Sequence, residues 1–247
     1  MEPRVLIFGA TSAVAAEVAV LYAQRGARLH LIGRNPEKLA AVAARCAPAQ
    51  VTTQQADFND LDANEQLVAS AIEQLGPVDI ALIAHGDLGD QLASEHSFKD
   101  AERTLRTNFL SVVSLLVPLA NHFEFLRTGR LAVITSVAGE RGRPRNYTYG
   151  TAKGALNIYL QGIRSRLYPY GVSVTTLKLG PVDSPMTVEH PKTRLFAKPP
   201  AVARSIVRAI DARAKETFIP PVWAAIMPAV KAAPEPLFQR LRFLSGR

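Results

Sequence analysis

The chain has almost no cysteine, since Cys46 is the single one among 247 residues. One thiol cannot build an internal disulfide framework, and the N-terminus lacks the charged, apolar and small-residue pattern of a secretory signal. No uninterrupted apolar run approaches the roughly eighteen residues of a membrane-spanning helix. The sequence also shows no internal repeat and no ligand pattern for a metal ion. These absences predict a cytoplasmic protein without disulfides, metal site or spanning helix.

Acidic residues are scarce near the C-terminus. Residues 190–247 hold 11 Lys and Arg against 3 Asp and Glu, whereas residues 1–189 hold 18 of each. The whole net charge of +8 therefore lies in the last quarter of the chain. A basic segment can bind nucleic acid, but apolar residues interrupted by prolines favour an anionic membrane surface or an acidic ligand. We therefore expect no nucleic-acid partner.

Short apolar runs alternate with helical stretches along most of the chain. This alternation predicts an α/β fold, a single-domain doubly wound parallel sheet of about seven strands with helices on both faces, Rossmann-like in architecture. Residues 1–220 would form this domain and residues 221–247 a basic C-terminal tail. A long helical stretch is expected over 98–125, interrupted at Pro118. The predicted strands cover 4–8, 28–33, 50–54, 78–84, 131–136, 172–179 and 217–219.

The stretch Leu131–Lys153 carries side chains suited to proton transfer. Tyr149 and Lys153 are four positions apart, so on a helix they share one face, and the ammonium would lower the pKa of the phenol. Ser136 ends an apolar run that reads as a buried strand and could present its hydroxyl to the same point. Alone, a Tyr-x-x-x-Lys spacing usually indicates only a surface helix pair. The added serine favours a general acid/base site.

The N-terminus reads as strand, turn and helix, the usual opening of a dinucleotide fold. The strand Arg4–Phe8 leads into a turn beginning at Gly9, where backbone N–H groups and a helix N-terminus could bind a pyrophosphate. Ala13 and Ala15 stand where such turns usually have glycine. Their methyl groups restrict how closely the backbone approaches a phosphate, so we expect a functional but shifted site.

The order Ser136, Tyr149-x-x-x-Lys153, with Asn108 upstream, resembles the short-chain dehydrogenases/reductases. The resemblance implies that Tyr149 is the general acid/base, that Lys153 lowers its pKa and holds the nicotinamide ribose, and that Ser136 positions the substrate oxygen. Asn108 would complete the proton relay, although a helix asparagine can also simply bond locally. The implied reaction is hydride transfer between a nicotinamide cofactor and a carbonyl.

Arg34 ends the second predicted strand where NAD-binding chains usually have an acidic residue. A guanidinium suits a 2′-phosphate, which favours NADP over NAD, but a surface arginine near a helix start is the alternative. Asp57 would meet the adenine or cap the helix that runs to Leu75. Ala84-His85-Gly86 stands where the family commonly has Asn-Ala-Gly, and His85 is read as a satisfied strand-end histidine.

The C-terminal half of the domain carries the remaining cofactor and substrate elements. Gly180-Pro181-Val182 resembles the family's turn against the nicotinamide amide, and residues 183–200 read as a mobile lid. The implied cofactor-binding residues are Gly9, Thr11, Ser12, Ala13, Val14, Arg34, Asp57, Ala84, Gly86, Tyr149, Lys153, Gly180 and Val182.

Two features narrow the substrate class. Arg141, Arg143 and Arg145 alternate just before Tyr149, so in an extended loop they would share one side and form an anion site; solvated or carboxylate-paired arginines are the alternative. Together with the tail, this loop resembles the reductases that act on decaprenylphosphoryl 2-keto sugars. That resemblance implies a ketone on a polyprenyl-phosphate sugar. The alternatives are a soluble ketone or 3-oxoacyl reductase (or alcohol dehydrogenase) and, less favoured, a non-enzymatic cofactor-sensing scaffold.

The tail predicts helices with apolar stripes. One stripe combines Leu237, Phe238, Leu241 and Leu244, and the preceding segment repeats it with Trp223, Ile226, Met227 and Val230. These stripes could anchor the protein peripherally on the inner face of a membrane, or pack on the domain itself or on a second subunit. The family resemblance implies a homodimer or homotetramer.

Overall fold

A computed structural model describes residues 2–188, 193 and 195–240. Its core is a seven-stranded sheet in the order β3-β2-β1-β4-β5-β6-β7. Each neighbouring pair is parallel. The predicted doubly wound parallel sheet is therefore confirmed. Its strands are β1 Arg4–Phe8, β2 Arg28–Gly33, β3 Val51–Gln55, β4 Ile80–Ile83, β5 Arg130–Ser136, β6 Ser173–Leu179 and β7 Glu216–Ile219.

Helices cover both faces of the sheet. The α-helices of the described residues are α1 Ala13–Ala23, α2 Pro36–Arg45, α3 Asn64–Leu75, α4 Gln91–His96, α5 Phe98–Leu105, α6 Ser111–Leu126, α7 Tyr147–Leu167, α8 Pro199–Asp211, α9 Val222–Ala232 and α10 Glu235–Arg240. Alternate residues of β1 point to opposite faces, as the strand period of two requires. Val5 and Ile7 join a cluster with α1, α2 and α8, whereas Leu6 and Phe8 join one with α3, α6 and α7. Both faces of the central strands are buried, which explains their continuous apolar runs.

The chain reverses direction across the sheet between β1 and β4. From β1 it winds outward through β2 to β3, then returns to β4 and winds the other way to β7. In open α/β sheets the crevice beyond the carboxyl ends of the strands at such a reversal is where ligands bind. The topology therefore places the ends of β1, β4, β5 and β6 around one cleft.

The predicted break at Pro118 is wrong. A continuous helical run of 29 residues covers Phe98–Leu126, with a π-helical turn at Arg106–Leu110 and Pro118 inside α6. A proline inside a helix costs about 3 kcal/mol, but each fully buried leucine contributes about 1.5–3 kcal/mol. Leu115, Leu116 and Leu119 on α6 are all 0% exposed, so their packing outweighs the lost bond.

By length and composition alone, this helical run could cross a membrane. A single such run is weak evidence, because the core helix of a globular domain passes the same test. Its buried leucines pack against the sheet together with α3 and α7. We therefore read it as a core helix of this fold.

Candidate active site

A cleft of about 560 Å³ opens at the carboxyl ends of the central strands. Gly9 follows β1, Ala84 follows β4, Ser136 ends β5 and Gly180 follows β6, and all four line this cleft. The catalytic residues predicted from the sequence, Asn108, Ser136, Tyr149 and Lys153, line it as well. So do all predicted cofactor-binding residues: Gly9, Thr11, Ser12, Ala13, Val14, Arg34, Asp57, Ala84, Gly86, Tyr149, Lys153, Gly180 and Val182.

Ser136 and Tyr149 meet at the centre of the cleft. Ser136 lies where β5 passes into a short 3-10 turn, and its Oγ accepts a hydrogen bond from the N–H of Ala138 at 3.1 Å. The Ser136 side chain acts on the Tyr149 hydroxyl and lowers its pKa. The Lys153 Nζ lies 5.7 Å from the centroid of the Tyr149 ring. The predicted juxtaposition of these three side chains is what the structure shows.

Small residues allow α7 to approach the turn after β5 closely. A Cβ added to Gly139 would lie 2.6 Å from the N atom of Gly154, and one added to Gly150 would lie 2.8 Å from the O atom of Ala138. Real Cβ atoms essentially never show contacts under 3.0 Å, so side chains here would push the helix away. This contact fixes the distance between Ser136 and Tyr149. The spacing of these glycines was a sequence signal that the motif reading missed.

Burial raises the pKa of Tyr149, which is the opposite of the sequence expectation, and it lowers the pKa of Lys153. Desolvation raises the pKa of Tyr149 to about 12, against the lowering effect of the Ser136 side chain. Desolvation also lowers the pKa of Lys153 to about 8, while the nearby Asp87 raises it. The prediction of a lowered tyrosine pKa is therefore wrong, because desolvation is the largest effect. At neutral pH Tyr149 is a protonated donor and Lys153 is mostly charged.

Asn108 lies in the π-helical turn and is fully buried. Its Nδ2 donates to the carbonyl of Thr104 at 3.0 Å, and its Oδ1 accepts from the N–H of Asp87 at 3.2 Å. Local bonding, the alternative reading, therefore describes its amide group. Even so, a Cβ on Gly86 would lie 2.6 Å from Asn108 Oδ1 and 3.3 Å from Lys153 Nζ, so all three meet at the cleft wall. Single π turns of this kind often occur at functional sites.

The N-terminal turn has the shape that a pyrophosphate requires. Gly9 has φ +76, and a Cβ there would lie 2.6 Å from the N atom of His85, so only glycine fits. Ser12 caps α1 by accepting from the N–H of Ala15 at 3.2 Å. Ala15 is 0% exposed and faces the core, whereas Ala13 lines the cleft. The two alanines therefore differ, and only Ala13 can narrow the space for a phosphate.

Cations line the far end of the cleft, beyond β2. Arg34 and Lys38 are both exposed there, and Lys38 was not predicted. Asp57 also lines this end, and its Oδ1 accepts from the N–H of Asn59 at 3.1 Å. The prediction that Asp57 caps the helix to Leu75 is wrong, because α3 starts only at Asn64 and Ala63 precedes it. Asp57 instead closes its own turn.

His85 is held as a neutral ring. Its Nε2 lies 2.8 Å from Ser111 Oγ, and that hydroxyl donates to the carbonyl of Thr107 at 2.7 Å. Nε2 must therefore carry the proton. Desolvation, with Lys153 and Arg34 nearby, lowers the pKa of His85 to about 3. The reading of a satisfied structural histidine holds for Nε2, while its buried Nδ1 has no partner.

These features fit a nicotinamide dinucleotide. The positive-φ glycine and helix N-terminus suit the pyrophosphate, Asp57 and the nearby cations suit the adenosine end, and Lys153 suits a ribose hydroxyl. The unpartnered His85 Nδ1 lies between these groups and can accept a hydrogen bond from a ligand.

The prediction that the three arginines before Tyr149 lie on one side of an extended loop is wrong. The Arg141 guanidinium turns to the tail, where Nη1 donates to the carbonyls of Val230 at 2.6 Å and Ala233 at 2.5 Å. Arg143 lines the cleft, and Arg145 is exposed. The loop is not extended here, since it forms a turn before α7, so the alternation of side chains fails. Only Arg143 can meet a substrate.

The tail packs on the domain and completes the cleft. Trp223, Met227, Val230 and Phe238 are all under 9% exposed and form a cluster with Val137. The stripe of α9 cannot enter a lipid boundary while Trp223, Met227 and Val230 are buried in this way. Pro228 lies inside α9 and does not interrupt the helix. On the second stripe Leu237 is 49% exposed, and Leu241 and Leu244 lie outside the described residues.

Trp223 is the main site residue that sequence reasoning missed. Its indole lines the cleft directly over Gly180, where an added Cβ would lie 2.0 Å from Nε1. The tryptophan is remote in sequence from every motif. The sequence indicated only that it belongs to an apolar stripe on a helix. Asp87, which acts on the pKa values of both Tyr149 and Lys153, was missed too.

Only part of the predicted lid can be described. Val182 and Ala197 form a parallel β-bridge, and Pro185–Thr187 form a 3-10 turn. Met186 and Phe196 line the cleft on this side. Residues 189–192 and 194 lie outside the described part, so the lid, like the boundary between residues 220 and 221, stays a prediction.

Comparison with known proteins gives the family. The short chain dehydrogenase family profile matches residues 3–195. An uncharacterised oxidoreductase of Mycobacterium tuberculosis is 36% identical over 243 residues, which cover 97% of this chain and 93% of the relative. An uncharacterised oxidoreductase of Streptomyces coelicolor is 31% identical over 238 residues, covering 96% of this chain and 94% of the relative.

Solved structures agree on the fold. The crystal structure of a levodione reductase superposes with a TM-score of 0.83 at 22% identity, covering 90% of this chain and 98% of the other. A short chain dehydrogenase/reductase family protein gives 0.77 at 24% identity, covering 87% and 94%. The chain therefore belongs to the short-chain dehydrogenase/reductase family and is an NAD(P)-dependent oxidoreductase.

Proposed function

We propose that the protein reduces a ketone with NADPH, with Tyr149 as the general acid. The observation that carries this function is the meeting of Ser136, a protonated Tyr149 and Lys153 in the cleft at the sheet reversal. A bound nicotinamide would supply the hydride. The protein's own residues orient the carbonyl and deliver the proton.

Each residue has a separate role in this reaction. The Ser136 hydroxyl donates a hydrogen bond to the carbonyl oxygen and holds it beside Tyr149. Tyr149 donates its phenolic proton to that oxygen as negative charge develops there. Lys153, still mostly charged at neutral pH, stabilises the phenolate left behind and holds ribose hydroxyls. Tyr149 is protonated at neutral pH, but its raised pKa makes it a weaker acid, so the charge on Lys153 has to stabilise the phenolate as the proton leaves.

The preference for NADP rests on the cationic end of the cleft. Arg34 and Lys38 both line it, and neither forms an ion pair with any residue in the described ranges. A 2′-phosphate would supply the missing counter-charge to both cations. A ribose 2′-hydroxyl of NAD would leave them without one.

The substrate is assigned to keto groups on a sugar carried by a polyprenyl phosphate or a similar lipid-linked group. Support comes from the resemblance of the arginine-containing loop and from Arg143, which places a cation beside the catalytic residues. The buried stripe of α9 gives no support for peripheral membrane contact, which therefore rests on the exposed Leu237 and the basic charge of the tail. A soluble ketone or 3-oxoacyl reductase remains the competing assignment, and a turnover assay with NADPH across neutral ketones, 3-oxoacyl thioesters and lipid-phosphate keto sugars separates them.

A homo-oligomer is proposed from exposed apolar side chains on the long helices. Phe125 on α6 is 85% exposed and Ile158 on α7 is 71% exposed. Leu110 and Val117 add further exposed apolar area along the same helical run. Such side chains are commonly covered at a symmetric interface. Sedimentation velocity at several concentrations tests this.

Tyr149→Phe is the central test of the reductase function. Loss of the proton donor removes a contribution of about two to four orders of magnitude, so kcat should fall by that factor. NADPH binding should persist, because the ring keeps its packing. A variant that retained a wild-type kcat would refute Tyr149 as the acid.

A further inference from the structure

Unpartnered buried polar atoms concentrate in one wall of the cleft. Nine buried side-chain N and O atoms of the described residues lack a hydrogen-bond partner, and four of the residues that carry them line the cleft. His85 is one, among the cofactor-facing residues. The other three atoms are Arg143 Nε, Asn146 Oδ1 and Trp223 Nε1. Buried polar groups normally have partners, so three such atoms beside the catalytic tyrosine indicate a missing ligand.

The three residues come from two segments that meet beside Tyr149. Asn146 precedes α7 and lies one turn before Tyr149, and its carbonyl accepts from the N–H of Gly150 at 2.7 Å. Arg143 Nη2 lies 3.9 Å from the Sδ atom of Met227 on α9. Trp223 lies four positions before Met227, so both face the cleft side of α9. The loop and the tail helix therefore form one wall.

Arg143 has no counter-charge in this wall. Glu140 is engaged by Lys178 at 2.8 Å and by Lys231 at 3.1 Å. Glu235 pairs with Arg141 at 2.7 Å. Asp57 is the only carboxylate among the described residues that line the cleft, and it lies at the adenosine end. A half-buried guanidinium without an acid partner carries an uncompensated charge, which is unfavourable until an anion binds.

We propose that Arg143 and Trp223 bind an oxyanion of the substrate, a carboxylate or a phosphate, while Asn146 accepts a hydrogen bond from a neighbouring hydroxyl. The substrate is then an anionic ketone with a nearby hydroxyl. Both donors are fixed by packing, Trp223 over Gly180 and Arg143 against Met227, so they are ordered before the ligand arrives. This assignment deepens the proposed reductase function and rests on it.

An isosteric neutral ketone would leave these donors unsatisfied. A guanidinium cannot lose its proton at any working pH, so it needs an anion or water when the cleft closes. Sites built to bond a polar group reject analogues that lack it. Arg143 and Trp223 would therefore set substrate specificity, while Ser136 and Tyr149 carry out the proton transfer.

Paired ketones test the oxyanion subsite. The full-length protein with NADPH is assayed on acetoacetate against its ethyl ester, and on dihydroxyacetone phosphate against dihydroxyacetone. We expect the wild type to prefer the anionic member of at least one pair, and Arg143→Gln to lower that preference, the ratio of kcat/KM values, about tenfold to a hundredfold. Arg145→Gln on the same loop, exposed and outside the cleft, is the matched control. An unchanged ratio in Arg143→Gln overturns the assignment.

The single tryptophan gives a second, activity-independent readout. Trp223 is the only tryptophan in the chain, so intrinsic fluorescence reports this wall alone. With the protein saturated with NADP⁺, titration with inorganic phosphate or with acetate should give a saturable change that Arg143→Gln loses and Arg145→Gln keeps. The two anions separate phosphate from carboxylate sources. No saturable change with either anion in the wild type would refute the subsite, whereas failure of every ketone to turn over would refute only the reductase function.

Discussion

Arg141 connects the C-terminal helices to the catalytic loop, so its replacement tests whether these helices complete the site. Its guanidinium donates to two carbonyls at the C-terminal end of α9 and lies 3.9 Å from the centroid of the Phe238 ring. The side chain is only 13% exposed. Each charge-assisted hydrogen bond contributes about 1.5–3 kcal/mol, and the ring contact about 0.5–2 kcal/mol. Water can replace part of the carbonyl bonds, so Arg141→Gln should weaken docking by about 3–5 kcal/mol.

The assay compares Arg141→Gln with Arg145→Gln, an exposed arginine on the same loop. A loss of 3 kcal/mol or more raises the population of the undocked tail by about a hundredfold or more. Limited proteolysis of the C-terminal segment should accelerate accordingly, and Trp223 emission should shift to the red as the indole meets water. The kcat/KM for ketones should fall, because Trp223 leaves the cleft. Proteolysis and emission equal to those of the Arg145 control would refute the reasoning.

The other predictions concern cofactor and pH. Arg34→Ala should weaken NADPH binding about tenfold to a hundredfold and leave NADH binding nearly unchanged. Lys38→Ala is the companion variant. A fluorescence titration in which the wild type binds both cofactors equally tightly would contradict this prediction. The kcat/KM for NADPH, which reports the cofactor-free enzyme, should fall above about pH 8 as Lys153 loses its proton, because the pKa of this amine is lowered to about 8 while that of Tyr149 is raised to about 12. Lys153→Arg should move this fall to higher pH, and a profile flat to pH 10 would show that Lys153 does not titrate there.

Strands and the cleft-lining motifs were predictable because their signals are local. The apolar runs of β1 and β4 are buried on both faces, and a parallel sheet requires such runs. Strand ends of a parallel sheet share one edge, so residues after β1, β4, β5 and β6 had to converge. Ser136 and Tyr149 belong to neighbouring elements, and the glycine contacts at Gly139 fix their distance.

Errors arose where tertiary contacts override local patterns. Pro118 reads as a break by its own chemistry, yet the buried leucines of α6 hold the helix through it. Arg141 and Arg143 alternate in sequence, but a turn sends one to the tail and the other to the cleft. The tyrosine pKa was predicted from the charge of Lys153 alone, whereas desolvation of the phenol raises it.

The contact between Gly180 and Trp223 shows why the substrate half of the site escaped sequence reasoning. Gly180 belongs to a turn at the end of β6, and Trp223 to a helix after the last strand, so no periodicity relates them. Their fit is steric, since a Cβ at position 180 would lie 2.0 Å from the indole nitrogen. Proton transfer thus depends on residues that are close in the sequence. The wall that contains Trp223 depends on a tail helix whose position is set only by tertiary contacts. Substitutions in the tail should therefore alter which ketones react before they alter the chemistry at Tyr149.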